Sequence, residues 1–179
     1  MKKENLNTMV YAPATTRGFT LIELLVTLAV AAILMSIAVP NFQMFVLNNR
    51  MASQANDLIT ALNMARSEAV KRAASVTVCA SSNSTSCTGT WEQGWIVRDA
   101  AGTPIRAQEA LGGSSTLSGG TDVASTITYT STGRTTIPTT ATAASTTLTL
   151  CPPTPASVQG RAIQIERTGR TSVAAVACP

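Results

Sequence analysis

From Phe19 to Val39 the chain reads FTLIELLVTLAVAAILMSIAV, an unbroken apolar run whose only charge is Glu23. A helix of about 20 such residues, rising 1.5 Å each, spans the roughly 30 Å of a bilayer's hydrocarbon. The run therefore predicts a membrane-crossing helix, and no Asp, Glu, Lys or Arg follows it until Arg50. Residues 1–18, MKKENLNTMVYAPATTRG, carry Lys2, Lys3 and Arg17 against Glu4. Basic flanks stay on the cytoplasmic side, so everything beyond the run is expected to be exported.

A secretory signal is cut after its apolar stretch, at a small-residue site, and Ser36-Ile37-Ala38 offers one. A cut ahead of the stretch, between Gly18 and Phe19, instead removes the polar leader and keeps the helix. The run Arg17-Gly18-Phe19-Thr20-Leu21-Ile22-Glu23-Leu24-Leu25 resembles the class III signal of type IV pilins and type II secretion pseudopilins. That resemblance implies a prepilin peptidase that cuts after Gly18 and methylates the new amino terminus at Phe19. It also implies that Glu23 meets the terminal amine of a neighbouring subunit, setting axial register as the protein leaves the inner membrane for a filament. A carboxylate in hydrocarbon costs roughly 2.5–3.5 kcal/mol, so it needs a partner of this kind. Pro40 matches the family's helix-kinking proline.

Beyond Pro40 the period of 3.6 continues. Met44, Leu47, Met51, Ala55, Leu58, Leu62, Ala65 and Ala69 form one apolar stripe, with Arg50, Asp57, Arg66, Glu68, Lys71 and Arg72 mostly off it. A stripe with a charged back is expected to dock on a sheet rather than on lipid. From Ser75 the period becomes two, and strands are expected at Val76–Ala80, Trp95–Asp99, Ile105–Leu111, Ser125–Thr130, Thr146–Cys151, Ala162–Arg167 and Thr171–Ala177. Gly112-Gly113, Gly119-Gly120, Thr132-Gly133 and Thr168-Gly169 punctuate them, the last as a hairpin tip. The fold class is α+β and type IV pilin-like, a long N-terminal helix packed on antiparallel sheet. The expected organisation is a cleaved leader over 1–18, a membrane and filament-core helix over 19–40, its amphipathic continuation over 41–74, and an exported β-rich domain over 75–179. Residues 114–149 hold twenty Ser or Thr and read as solvent-facing strand or long loop.

Cys79, Cys87, Cys151 and Cys178 all lie in the exported part. An even number in an oxidising compartment argues for disulfides, although four cysteines allow three pairings. The expected pairs are Cys79–Cys87, closing a Ser/Thr/Asn loop, and Cys151–Cys178, tying the last strands together. A tetrathiolate zinc site is the competing arrangement, and the absence of CxxC spacing speaks against it. Histidine is absent altogether, which removes Ser-His-Asp and Cys-His catalysis and every His-ligated metal site. Glu92, Asp99, Glu109 and Asp122 are scattered and read as solvated surface, while Trp91 and Trp95 read as core. The expectation is a non-enzyme without cofactor or metal.

After Asp122 the chain carries Arg134, Arg161, Arg167 and Arg170 against Glu166 alone. Arginines at a hairpin tip can fork onto phosphate oxygens. The signal, the segment Leu62-Asn63-Met64-Ala65-Arg66-Ser67-Glu68-Ala69-Val70-Lys71-Arg72, the Gly94-Trp95 strand and the late Gly-Arg turn together resemble the GspH/FimT family of minor pilins and pseudopilins. Some members are implicated in DNA uptake through a Gly-Arg-x-Arg turn and an upstream arginine. Gly169 and Arg170 match the start of that turn and Arg167 the upstream position, with Arg161 a further candidate, but Ser172 replaces the second arginine. The resemblance therefore implies a minor pilin of a type IV pilus, partnered by other major and minor pilins. A DNA-binding pilin for natural transformation is the alternative, and a type II secretion pseudopilin a third reading.

Overall fold

The computed structural model describes residues 18–120, 123, 125–136, 145–154 and 158–178. The leader residues Lys2, Lys3, Glu4 and Arg17, together with Asp122 and residues 137–144 of the Ser/Thr-rich stretch, lie outside them. The chain divides between Asn41 and Phe42 into two bodies. In the first, helix α1 (Leu21–Arg72) begins after Thr20, whose side-chain oxygen accepts the Glu23 N–H at 3.3 Å. This is an N-cap, and Glu23 lies in the first turn, where the helix dipole favours a carboxylate. The large apolar residues from Leu21 to Val39 stand exposed, and α1 is long and apolar enough to cross a membrane.

The second body is α1 from Phe42 onward with eight strands. They are β1 (Val76–Ala80), β2 (Trp95–Arg98), β3 (Pro104–Gln108), β4 (Thr116–Gly119), β5 (Thr126–Tyr129), β6 (Ser145–Cys151), β7 (Gly160–Glu166) and β8 (Thr171–Val176). They form two antiparallel sheets of four, ordered β3-β2-β1-β5 and β4-β6-β7-β8. The chain thus leaves the first sheet for β4, returns for β5, and leaves again for β6.

One core joins both sheets to the helix. Met51, Ala55, Leu58, Leu62, Ala65 and Ala69 meet Val76, Val78, Ala80, Trp95, Val97, Ile127 and Tyr129 of the first sheet and Leu148, Leu150, Ile163 and Ile165 of the second. Each large apolar side chain so buried contributes about 1.5–3 kcal/mol. The expected stripe is therefore docked from Met51 onward but not at Met44, which stands exposed. Burial in α1 begins at Met51, and the sheet residue that reaches Asn48, one turn earlier, is polar, the Arg161 guanidinium.

Trp91 and Trp95 are both fully buried, and the Trp91 indole N–H donates to Val123 O at 3.0 Å. The strand expected at Ile105–Leu111 ends at Gln108; Leu111 instead donates its N–H to Glu92 O. Asp99, expected as solvated surface, accepts the Thr103 N–H and lies 3.6 Å from Arg72. Arg72 also binds Glu68 at 2.7 Å, and this hydrogen bond holds the Glu68 carboxyl below its ordinary range.

Tyr129 is buried and its hydroxyl has no hydrogen-bond partner among the described residues. Burial raises its pKa well above the ordinary phenol value, with Arg66 opposing weakly. A folded-state pKa above the unfolded one stabilises fully below the unfolded value and is lost as pH rises toward the folded one. In leaderless protein, where Tyr11 is gone, phenolate absorbance is expected to appear only together with alkaline unfolding. Reversible titration near pH 10 with the fold intact would contradict the burial.

Candidate functional site

Gly18, Phe19 and Glu23 sit at the exposed start of α1. Thr20 caps the helix and its carbonyl accepts the first helical bond, from the Leu24 N–H at 3.1 Å, so the Gly18-Phe19 bond ahead of it lies in non-helical chain. A peptide bond is open to hydrolysis in such a segment and protected once inside a helix.

The structure joins Cys79 to Cys87 and Cys151 to Cys178. The first closes the loop organised by Asn83, whose Oδ1 accepts the N–H groups of Thr85 and Ser86. The second lies against Gly160, where any Cβ would run into the Cys178 sulfur and the Leu150 carbonyl.

The three arginines singled out in the sequence do not come together. Arg161 and Arg167 bracket β7, about 20 Å apart at 3.3 Å per residue. Arg161 is tied to the helix: its Nη2 donates to Asn48 Oδ1 at 2.7 Å and its Nη1 to Gln159 O and Gly160 O at 3.1 Å each. Its geometry is that of a staple between sheet and helix.

At the opposite end of β7 a different set gathers. The hairpin tip is closed by Gly169 N–H to Glu166 O and Glu166 N–H to Arg170 O, both at 2.9 Å. Gly169, at φ +82°, is packed so closely on the Gly133 carbonyl that no Cβ fits between them. The Arg66 guanidinium lies beside both glycines and donates to Thr168 O at 3.2 Å. Thr135 N–H donates to Arg167 O, drawing the Arg134 loop onto the same tip. Arg66, Arg134, Arg167 and Arg170 thus share one corner, and Arg134 and Arg170 are exposed. Sequence patterning conceals this, because Arg66 has the spacing of a surface charge on the helix and Arg134 belongs to no motif. The paired glycine turns at 132–133 and 168–169 are the available signal. Among the described residues no group of His, Cys, Asp or Glu is placed to hold a metal ion.

A capped apolar helix running into a β-rich body of two antiparallel sheets is the type IV pilin fold. Crystal structures of the Pseudomonas aeruginosa (strain PAO1) type IV minor pilin FimU share it. One, in space group P21, aligns with a TM-score of 0.56 at 24% identity over 73% of this chain and 92% of that one. Another, in space group P65, gives 0.52 at 24% identity over 69% and 91%. Residues 14–39 match the prokaryotic N-terminal methylation motif. Residues 54–169 match the family described as type II transport protein GspH, and the chain belongs to that family. No match is found among curated proteins.

Because Gly160 abuts the Cys151–Cys178 bridge, Gly160→Ala is expected to cost about 1–3 kcal/mol by overpacking. It should also raise the fraction of free thiol at the chain's end. Thiol titration and thermal melts of the variant beside wild type measure both, and wild-type values for both would refute the packing.

Proposed function

We propose that the chain is a minor subunit of a type IV pilus that helps to prime or build the filament. The carrying observation is Glu23, the one charge of the apolar run, held in the first turn of α1 behind the exposed Gly18-Phe19 bond. Prepilin peptidase removes residues 1–18 and methylates Phe19, leaving a single-pass inner-membrane protein with its β-rich body in the periplasm. Glu23 then finds the amine of a neighbouring pilin, an ion pair that replaces the lost solvation of its carboxylate. The likeness to FimU over most of that chain favours a pilus over a secretion machine, although the family is named for a type II transport protein. The role is structural: these residues bind and align rather than transform a substrate.

Substituting Gly18 is expected to block leader removal, seen as a heavier band on a gel. Glu23→Ala is expected to be cut normally yet to fall at least tenfold in sheared pili. Normal processing of the first, or normal incorporation of the second, would sink this reading.

Double-stranded DNA is a second reading, favoured by the gathering of Arg66, Arg134, Arg167 and Arg170 at one corner. Phosphate pairing there would give binding that weakens steeply with salt. Arg134→Gln with Arg170→Gln should lower the affinity and flatten the salt slope, by about one unit for each phosphate no longer neutralised. Arg161→Gln, at the other end of β7, should leave both unchanged. Titration of duplex DNA at several salt concentrations decides, and equal slopes in all variants would exclude the corner.

A further inference from the structure

The two sheets present four edges, and three of them are covered, broken up or short. Strand β3 begins with Pro104, carries Arg106 and is offset by a register shift at Val97/Arg98. Proline, charge and a bulge are the usual devices that keep an edge from pairing. Strand β5 is covered by the segment that follows it, since Thr136 N–H donates to Thr128 O at 3.0 Å and Thr130 N–H to Arg134 O at 2.8 Å. Strand β4 has only four residues and ends in Gly119.

Strand β8 has none of these protections. Its six residues, TSVAAV, carry no charge and no proline, and they pair with β7 without a register shift. Val173, Ala174 and Ala175 are exposed. The tip decides which groups point outward. Glu166 N–H donates to Arg170 O, so those two form a hydrogen-bonded pair. Antiparallel alternation then directs Ser172, Ala174 and Val176 at β7 and turns the N–H and C=O of Thr171, Val173 and Ala175 away from it. No described residue bonds these outward backbone groups.

The same three residues face the helix. Thr171 Oγ1 lies 3.3 Å from Asn63 Oδ1, and Ala175 lines a groove of about 470 Å³ with Met44, Phe45, Asn48 and Arg161. Met44 and Phe45 are themselves exposed. An exposed apolar helix face therefore runs directly into a strand edge that no described residue pairs.

We propose that β8 is an assembly edge that takes up an extended strand of the next subunit in the filament. The strand would run antiparallel to β8, with alternate side chains over the groove. Main-chain bonds give such an interface its affinity and the groove its selectivity. A neighbouring subunit is the occupant these features fit, because it can cover the apolar helix face and satisfy the edge at once. The uncharged edge offers a polyanion nothing along its length. The proposal rests on the filament reading above.

The test uses the full chain in cells that assemble filaments. Val173→Pro removes one outward N–H and no bond to β7, as edge strands tolerate. Val173→Lys leaves the ladder whole and puts a charge on the edge. Val173→Thr serves as the conservative control. Both disruptive variants should be processed and should melt like wild type in detergent, yet fall at least tenfold in sheared filaments, with Val173→Thr unaffected. Residue-resolved hydrogen exchange should show the amides of Thr171, Val173 and Ala175 protected only in filaments. Those of Ser172, Ala174 and Val176 should be protected before and after assembly. Should the proline variant misfold, the lysine variant and the exchange pattern still decide. Wild-type incorporation of folded Val173→Lys, or outward amides left unprotected in filaments, overturns the edge while Glu23→Ala keeps the filament reading separately testable. A wild-type chain that never enters a filament removes both.

Discussion

The structure depends on one shared surface, the face of α1 from Met51 to Ala69. Neither sheet closes a core alone: the apolar residues of β1, β2 and β5 and those of β6 and β7 end in the same cluster around that face. In a folded protein most of a helix's stability comes from burying one side rather than from intrinsic propensity. Ala55, Ala61, Ala65 and Ala69 bring strands close to the backbone, while Met51, Leu58 and Leu62 fill the volume between them. The charged back of the same helix turns to Glu68, Lys71, Arg72 and Asp99, which pair with one another at the surface. The exposed pairs add little energy; they keep that side wet and so orient the apolar side inward.

Much of this architecture is legible because two periods are so cleanly separated along the chain. The stripe of 3.6 stops near Ala69, the alternation of two starts at Val76, and the glycine pairs mark where strands turn. The partition into two sheets is not legible, since local alternation says nothing about which strand neighbours which. Strand β4 escapes sequence patterning for a plain reason: its TLSG has one apolar residue, Leu117, and a single buried position makes no period. The stripe extends about two turns too far in the sequence, to Met44, because periodicity continues where the sheets do not.

The candidate site is legible in uneven measure. Gly18, Phe19 and Glu23 are a contiguous motif, so spacing alone brings them together. The arginines belong to distant segments, and proximity there is a tertiary fact. Arg161 and Arg167 are near in sequence, yet a strand carries residues six apart to opposite ends. Arg66, about a hundred positions earlier, reaches Thr168 because the hairpin tip folds back over the helix. A pair of glycines makes that approach feasible: a Cβ on Gly169 would run into the Gly133 carbonyl, and one on Gly133 would press on the Val70 and Arg66 side chains.

The β7–β8 hairpin is consequently held to α1 at three places, by Arg161 on Asn48, Thr171 at Asn63 and Arg66 on Thr168. Its chain end is tied again by Cys151–Cys178. A free edge strand fixed in this way has already lost the conformational entropy that a partner would otherwise have to overcome on binding. The same stiffness carries a hazard, because a rigid uncharged edge pairs as readily with the wrong strand as with the right one. On the filament reading proposed above, an α1 held in a membrane before assembly would lessen that hazard, since it is long and apolar enough to cross one and anchored copies would meet in fewer ways than free ones.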